Sequence, residues 1–541
     1  MGGHRAGGGP DRLDRRLPGA LPAADGGHRA GAHPPGAVEG RRDRRPRGSR
    51  GSPPGPPVSP VAAPPVALGA LLPVLIVLAA ALAVLLLDLL PARRGKGHLA
   101  VVALAGVVGA LLASVTAWGG AGRAFRDMVV LDNYALFVHV VVAYAAALVL
   151  LVSVDYLRRE GAESGEYYAL VLLSASGMLL LTSANDLIVV FLAIELMSLS
   201  LYVLSGLFKR RHQAGEASMK YFLLGVFASV FLLYGIALVY GATGSTNFDR
   251  IAAAAATRPD DPLLVLGLAL LMVGFGFKIA SVPFHMWAPD VYEGAPTSIT
   301  AFIATGSKAA VFAALMRLLV AGLRGFQADA SALLWGLAAV TMTLGNVVAI
   351  AQSNVKRMLA YSSIAHVGYM LMGLVVGGPT GAAAVLFYLL AYTFTTAGTF
   401  AVVALCERAG VEAVEVRDYA GLARRHPALA LALSLFLLSL VGIPPLAGFV
   451  AKFYLFGAAV RAGYVGLAVV AVLNSAIAAY YYLRVIVAMY MQEPDGAPAR
   501  LTPSFAGGLA LVIALVGIVL LGVMPAPFAD LAQAAVAPLL R

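Results

Sequence analysis

The 541-residue chain is poor in charge and nearly devoid of cysteine. Only 12% of its residues are charged and 60% are hydrophobic, with a mean hydropathy of +0.84. Soluble globular domains carry roughly a quarter charged residues, so that class is excluded. Cys406 is the single cysteine, which excludes an intrachain disulfide, a CxxC redox pair and a cysteine-ligated iron–sulfur cluster. No GxGxxG opens a βαβ unit and no GxxxxGK[ST] occurs, which argues against nucleotide binding by this chain. What the chain does have is long apolar stretches, recurring from residue 67 to residue 525. Such stretches call for a bilayer as solvent.

The first sixty residues differ from the rest. They hold 11 Arg, no Lys and five acidic residues, set among Gly, Pro and Ala, with little to bury; the composition predicts disorder. RRDRRPRGSR (41–50) is basic enough for nucleic acid but has no interleaved aromatics, so no nucleic-acid partner is expected. The apolar run from Val66 to Leu90 is too long for a signal h-region and reads as a spanning helix.

Stretches of about 20 apolar residues each cross a hydrocarbon core of ~30 Å. Fourteen such spans are expected, near 67–90, 98–118, 131–153, 167–184, 186–207, 216–240, 262–283, 297–322, 332–352, 357–377, 381–406, 427–458, 463–491 and 505–525. Pro444-Pro445 breaks or kinks the twelfth. With the amino terminus outside, the cytoplasmic loops carry fifteen Lys and Arg, among them Lys96, Arg158, Lys356 and Arg424. The opposite loops and the carboxyl end carry seven, among them Arg123, Arg250 and Arg461. The positive-inside rule therefore places both termini outside. The arginine-rich tail would then have to cross the membrane, against the same rule, so a mis-assigned start near Val58 or Val61 is expected.

Lys220, Lys278, Lys308 and Lys452 fall inside spans, as does Glu195 in FLAIELMSL. Each charge near a bilayer centre costs ~3 kcal/mol on insertion scales, and together they cost on the order of 10 kcal/mol or more. Groups kept at that cost point to function. A lysine whose surroundings alternate between dry and paired can bind and release a proton near neutral pH. Glu195 lies about halfway along its span, which makes it a partner for Lys220 or a proton acceptor. Arg317 and Arg484 fall near helix ends, where long side chains snorkel, and His139 reads as a packed histidine.

Two spans carry a backbone break beside a lysine: Lys278 precedes Pro283 in GFGFKIASVPFHMW, and Lys452 follows Pro444-Pro445 in VGIPPLAGFVAKFYLF. Proline at membrane depth frees carbonyls that protein or water must satisfy. Matching broken helices in two halves of a chain mark transporters built from inverted repeats. The expected fold is an all-α polytopic membrane protein with two inverted five-helix repeats and broken helices 7 and 12. Its parts are a tail (1–60), helices 1–3 (61–160), a first repeat (167–325), a second repeat (331–491) and a last helix (500–541).

Three stretches carry a resemblance: PFHMWAPDVYEGAPTSITAF (283–302), NVKRMLAYSSIAHVGYMLMG (354–373) and GIPPLAGFVAKFYLF (442–456). They resemble the antiporter-like membrane subunits of respiratory complex I, over roughly residues 65–525. The AHVGY form of the second motif, Lys452 where another branch usually has glutamate, and the fourteen-span length favour the N-type branch. The resemblance implies proton transfer through Glu195, Lys220, Lys278, Lys308 and Lys452, with His366 extending the row. It also implies a bacterial plasma-membrane location and other membrane subunits of the complex as partners. NADH, FMN, iron–sulfur clusters and quinone would belong to partner subunits, with no cofactor on this chain. A multisubunit cation/proton antiporter subunit, or a non-conducting assembly subunit, are the competing readings.

Overall fold

The computed structural model describes residues 68–90, 96–208, 211–258, 260–323, 327–408, 411–493, 500–501 and 504–540. The arginine-rich segment 1–60 and its expected disorder lie outside them. Helices α1 (Leu68–Asp88) and α2 (Gly97–Thr116) are followed by a small antiparallel pair, β1 (Gly122–Ala124) and β2 (Val129–Leu131). Then come α3 (Asn133–Arg159), α4 (Gly165–Thr182), α5 (Leu187–Ser205), α6 (His212–Thr243), the short α7 (Phe248–Thr257), α8 (Pro262–Ile279) and α9 (Ala288–Gly294). A single crossing over Thr297–Gly322 contains α10 (Thr297–Phe302) and α11 (Lys308–Arg317), each followed by a π-helical turn. The second half holds α12 (Gln327–Ile350), α13 (Val355–Val376), α14 (Gly378–Leu405), the one-turn α15 (Leu422–Arg425), α16 (Pro427–Val441), α17 (Ala447–Arg461) and α18 (Val465–Met491). Then follow α19 (Phe505–Val523) and α20 (Ala526–Val536). Strands β3 (Cys406–Arg408), β4 (Val411–Glu412) and β5 (Arg500–Leu501) form one small sheet.

Among the described residues thirteen helices are long and apolar enough to cross a membrane, and α16 with α17 supplies the broken fourteenth crossing. The expected number therefore holds, and the ends show why boundaries move. Asp132 caps α3 by accepting from Ala135 N at 2.9 Å, so the third crossing starts at Asn133 and runs six residues beyond the expected end at 153. Ser164, Asp186, Asp261 and Asn354 cap α4, α5, α8 and α13 in the same way, each satisfying an amide that the helix itself leaves free. The carboxyl-terminal part holds more than one helix: α20 follows α19 and packs against α3 and α14.

The two breaks are real, and their freed carbonyls are satisfied differently. Ala280, at φ 61°, ends α8, and the Trp287 indole N–H donates back to the Phe277 carbonyl at 2.9 Å. Gly442, at φ 96°, ends α16, a conformation that glycine adopts without a Cβ penalty. There the Lys452 ammonium donates to the Leu440 and Val441 carbonyls at 3.0 and 2.8 Å. Lys278 thus precedes its break while Lys452 follows its own and fills it. The crossing over Thr297–Gly322, α13 and α14 are almost wholly buried, whereas α1, α2, α6, α12, α18 and α19 turn apolar faces outward. Ionisable groups on the buried helices are therefore shielded from lipid by a rim of apolar ones.

Candidate functional site

Lys278, on the last turn of α8, is buried and donates to Ser198 Oγ at 2.9 Å and Tyr202 Oη at 3.0 Å, both on α5. Glu195 stands three residues before Ser198, hence one turn away on the same helix face. Its carboxylate accepts from Ser229 Oγ on α6. Lys220, expected to pair with Glu195, does not. It makes ion pairs with Glu216 at 2.6 Å and Asp290 at 2.5 Å. Along α6 it lies nine residues from Ser229, about 13 Å at 1.5 Å per residue, beyond the reach of a lysine stem.

Lys308 begins α11 directly after a π-helical turn, a feature that often marks functional positions in helices. Its ammonium donates to Ser363 Oγ and, at 3.3 Å, to the Ser363 carbonyl of α13. Ser363 Oγ also meets Tyr392 Oη at 2.8 Å and Tyr292 Oη at 3.2 Å. His366, three residues along the same face of α13, bonds Tyr388 Oη through Nδ1 at 2.7 Å and Tyr482 Oη through Nε2 at 3.4 Å. Its ring packs against those of Tyr392 and Tyr369. Lys452 Nζ lies 5.0 Å over the centre of the Tyr369 ring. Lys308, His366 and Lys452 are therefore linked through Ser363, Tyr392 and Tyr369 in one buried row. Lys278 and Glu195 are related through Ser198 on α5, outside that row, and Lys220 is set apart toward α9.

Three further ionic groupings went unread in the sequence. Arg357 Nη1 bridges Asp290 at 2.7 Å and Glu293 at 2.8 Å, so α9 presents two carboxylates between Lys220 and Arg357. They line a recess of about 200 Å³ with Glu216 and Gln213. The spacing of Asp290 and Glu293, three residues apart in WAPDVYEG, was the available signal. Lys356, expected in a loop, is the second residue of α13 and is buried; it donates to the Ala295 carbonyl at 2.8 Å and faces Glu412 at 3.8 Å. Thr297 Oγ1 donates to that same carboxylate.

Arg317 does not snorkel. It is buried and makes two parallel hydrogen bonds to Asp132, at 2.9 and 2.8 Å, with its guanidinium 4.9 Å over the Tyr134 ring. Burial alone would push the Asp132 carboxyl up. The Arg317 guanidinium and the Ala135 amide outweigh it and hold the group below the usual carboxylate range. Arg484 is nearer the expectation, part-buried and capping the end of α12 through the Ile350 carbonyl at 3.1 Å. His139 is packed as expected, bonded to the Leu179 carbonyl at 2.9 Å.

Comparison with known proteins places this arrangement. The family model described as NADH:quinone oxidoreductase/Mrp antiporter, TM, matches residues 184–478. NADH-quinone oxidoreductase subunit N of Trichlorobacter lovleyi is 48% identical over 454 residues, covering 84% of this chain and 93% of that protein. The subunit N of Chloroflexus aggregans is 46% identical, covering 82% and 92%. The chain belongs to the subunit N family of NADH-quinone oxidoreductase. A chain of respiratory complex I from Thermus thermophilus, solved with bound Aureothin, superposes with a TM-score of 0.73 at 38% identity, over 85% of this chain and 99% of that one. A chain of the Mrp complex from Dietzia superposes with a TM-score of 0.77 at 23% identity, over 88% and 98%, and shares the fold. For this member of the subunit N family, the matched region contains Glu195, Lys220, Lys278, Lys308, His366 and Lys452. It leaves out Asp132, the partner of Arg317.

Proposed function

We propose that this chain is a proton-translocating membrane subunit of an NADH-quinone oxidoreductase. The observation that carries the reading is the buried row from Lys308 through Ser363, Tyr392, His366 and Tyr369 to Lys452. Every hydrogen-bonding group in it can accept and release a proton, and its ammonium groups rest on neutral hydroxyls and carbonyls. A proton taken up near the acidic recess on α9 reaches Lys278. It passes to Lys308, then His366, then Lys452, and leaves on the outside. Glu195, one turn from the hydroxyls that hold Lys278, raises that lysine's proton affinity when the ammonium swings to it and lowers it when the two part.

Redox chemistry in partner subunits, which would hold NADH, FMN, iron–sulfur clusters and quinone, supplies the energy. Other membrane subunits flank this one in a bacterial inner membrane, and both termini lie outside. Residues 167–325 and 331–491 act as two inverted repeats, the division supported by a broken helix in each.

Replacing Lys278 with Ala tests the reading. Membranes carrying Lys278→Ala should show an assembled complex on a native gel but little proton pumping and slowed NADH-dependent quinone reduction. Glu195→Gln should weaken both in the same direction. Normal pumping by an assembled Lys278→Ala complex would reduce the lysine row to scaffold. The likeness to the Mrp chain favours one second reading, a cation/proton antiporter subunit; sodium-dependent transport without quinone reductase activity would select it.

A further inference from the structure

Ser363 receives more hydrogen bonds than one oxygen can hold without fixing its own proton. A serine hydroxyl accepts two bonds and donates one. The Lys308 ammonium has no lone pair and must donate to Ser363 Oγ. Tyr392 donates to the same oxygen at 2.8 Å. Both acceptor positions are filled, so the Ser363 proton points at its remaining neighbour, Tyr292 Oη at 3.2 Å. Tyr292 belongs to α9, the helix of Asp290 and Glu293. In this arrangement Lys308 communicates with the α9 side and is closed to the Tyr392–His366 side.

Opening the other side requires the Tyr392 hydroxyl to turn away from Ser363, and an acceptor for it is in place. Thr396 follows Tyr392 by one turn on the same face of α14. It is 4% exposed, and its Oγ1, close to the Tyr392 hydroxyl, has no partner of full hydrogen-bond geometry among the described residues. Buried hydroxyls without partners are uncommon and costly. We propose that Tyr392 is a two-position latch between Ser363 and Thr396, which sets whether Lys308 exchanges protons with the Tyr292 side or with the Tyr392–His366 side.

With Tyr392 turned to Thr396, its freed lone pair accepts the Ser363 proton. The Ser363 hydroxyl then points toward Tyr392 instead of Tyr292, which turns the hydrogen-bond chain that starts at Lys308 from one side to the other. Tyr392 and Thr396 are positioning residues in this scheme, which rests on the proton-translocating reading above.

Thr396→Val and Thr396→Ser separate the latch from packing. Valine keeps the shape and removes the hydroxyl; serine keeps the hydroxyl and removes a methyl. The proposal expects assembled Thr396→Val complexes to pump about fivefold more slowly or worse, the equivalent of one hydroxyl hydrogen bond, and Thr396→Ser to pump nearly as wild type. Wild-type pumping by Thr396→Val, or the reverse order of the two variants, overturns it. If Thr396→Val fails to assemble, Tyr392→Phe, which keeps the ring, decides by the same readout: lost pumping supports the latch and normal pumping overturns it. Lys308→Ala run in parallel tells the two readings apart. Normal pumping there defeats the proton-row reading itself, whereas lost pumping there with normal Thr396→Val defeats only the latch.

Discussion

Lys452, proposed as a member of the proton row, also serves structure. Its two carbonyl partners are the loose end of α16, so the lysine closes a helix break that glycine and proline open. Lys452→Met should leave those carbonyls unpaired at a cost of about 1–3 kcal/mol. A lowered yield of assembled complex on native gels, together with lost pumping in what does assemble, is the expected result.

The Asp132–Arg317 pair makes a sharper case at the same scale. Removing one member of a buried pair strands the other and costs about 3–5 kcal/mol, whereas replacing both by apolar residues is often neutral. Asp132→Leu should therefore assemble poorly, and adding Arg317→Met should restore the yield. Because the Asp132 carboxyl is held below its ordinary value, the pair contributes fully above the unfolded carboxyl pKa and fades only as pH falls through the lowered folded one. Charged residues were legible in the sequence because each stands out against an apolar background. Ser363, Tyr392 and Thr396 were not, because hydroxyls are ordinary in spanning helices and only the register of α13 against α14 gives them a role.

Helices were read from length and hydropathy, and the breaks from proline, because both are local properties. What fills a break is not local. Phe277 O takes the indole N–H of Trp287, ten residues on, beside the nearby Ala280 amide, whereas Leu440 O and Val441 O take a lysine. The π-helical turns on either side of α11 left no mark in the sequence either, since nothing in IATGS or LLVAG departs from an ordinary apolar run. The first break offers a clean test. Trp287→Phe keeps an aromatic ring to stack on Tyr221 at 4.5 Å while deleting the indole N–H that shares Phe277 O with the Ala280 amide. The loss should lower the thermal stability of the detergent-solubilised complex by about 0.5–1.5 kcal/mol, one net hydrogen bond, with Trp287→Tyr no better, because the lost group is the indole N–H. An unchanged melting curve would mean that the Ala280 amide alone suffices for Phe277 O.

The proposed orientation, with both termini outside, rests on charge that the fold leaves in its loops. Not all of that charge stays there: Lys356 leaves the cytoplasmic tally, since it is buried against Glu412. The excess on that side survives its removal, with Lys96, Arg158, Arg211 and Arg424 remaining against Arg123, Arg250 and Arg461. The lone native cysteine makes the orientation measurable without background. Cys406 is buried at the end of α14, and burial pushes its thiol up to about 12, so it stays protonated and unreactive at neutral pH. A single cysteine placed at Arg424 or at Arg123, whose side chains are 63% and 59% exposed, is then the only thiol a membrane-impermeant maleimide can meet. In right-side-out vesicles Arg123→Cys should label and Arg424→Cys should not; in inverted vesicles the order should reverse. Since α3 and the crossings after it fix how the row from Lys278 to Lys452 faces the two compartments, the opposite labelling pattern would reverse the direction in which that row carries protons.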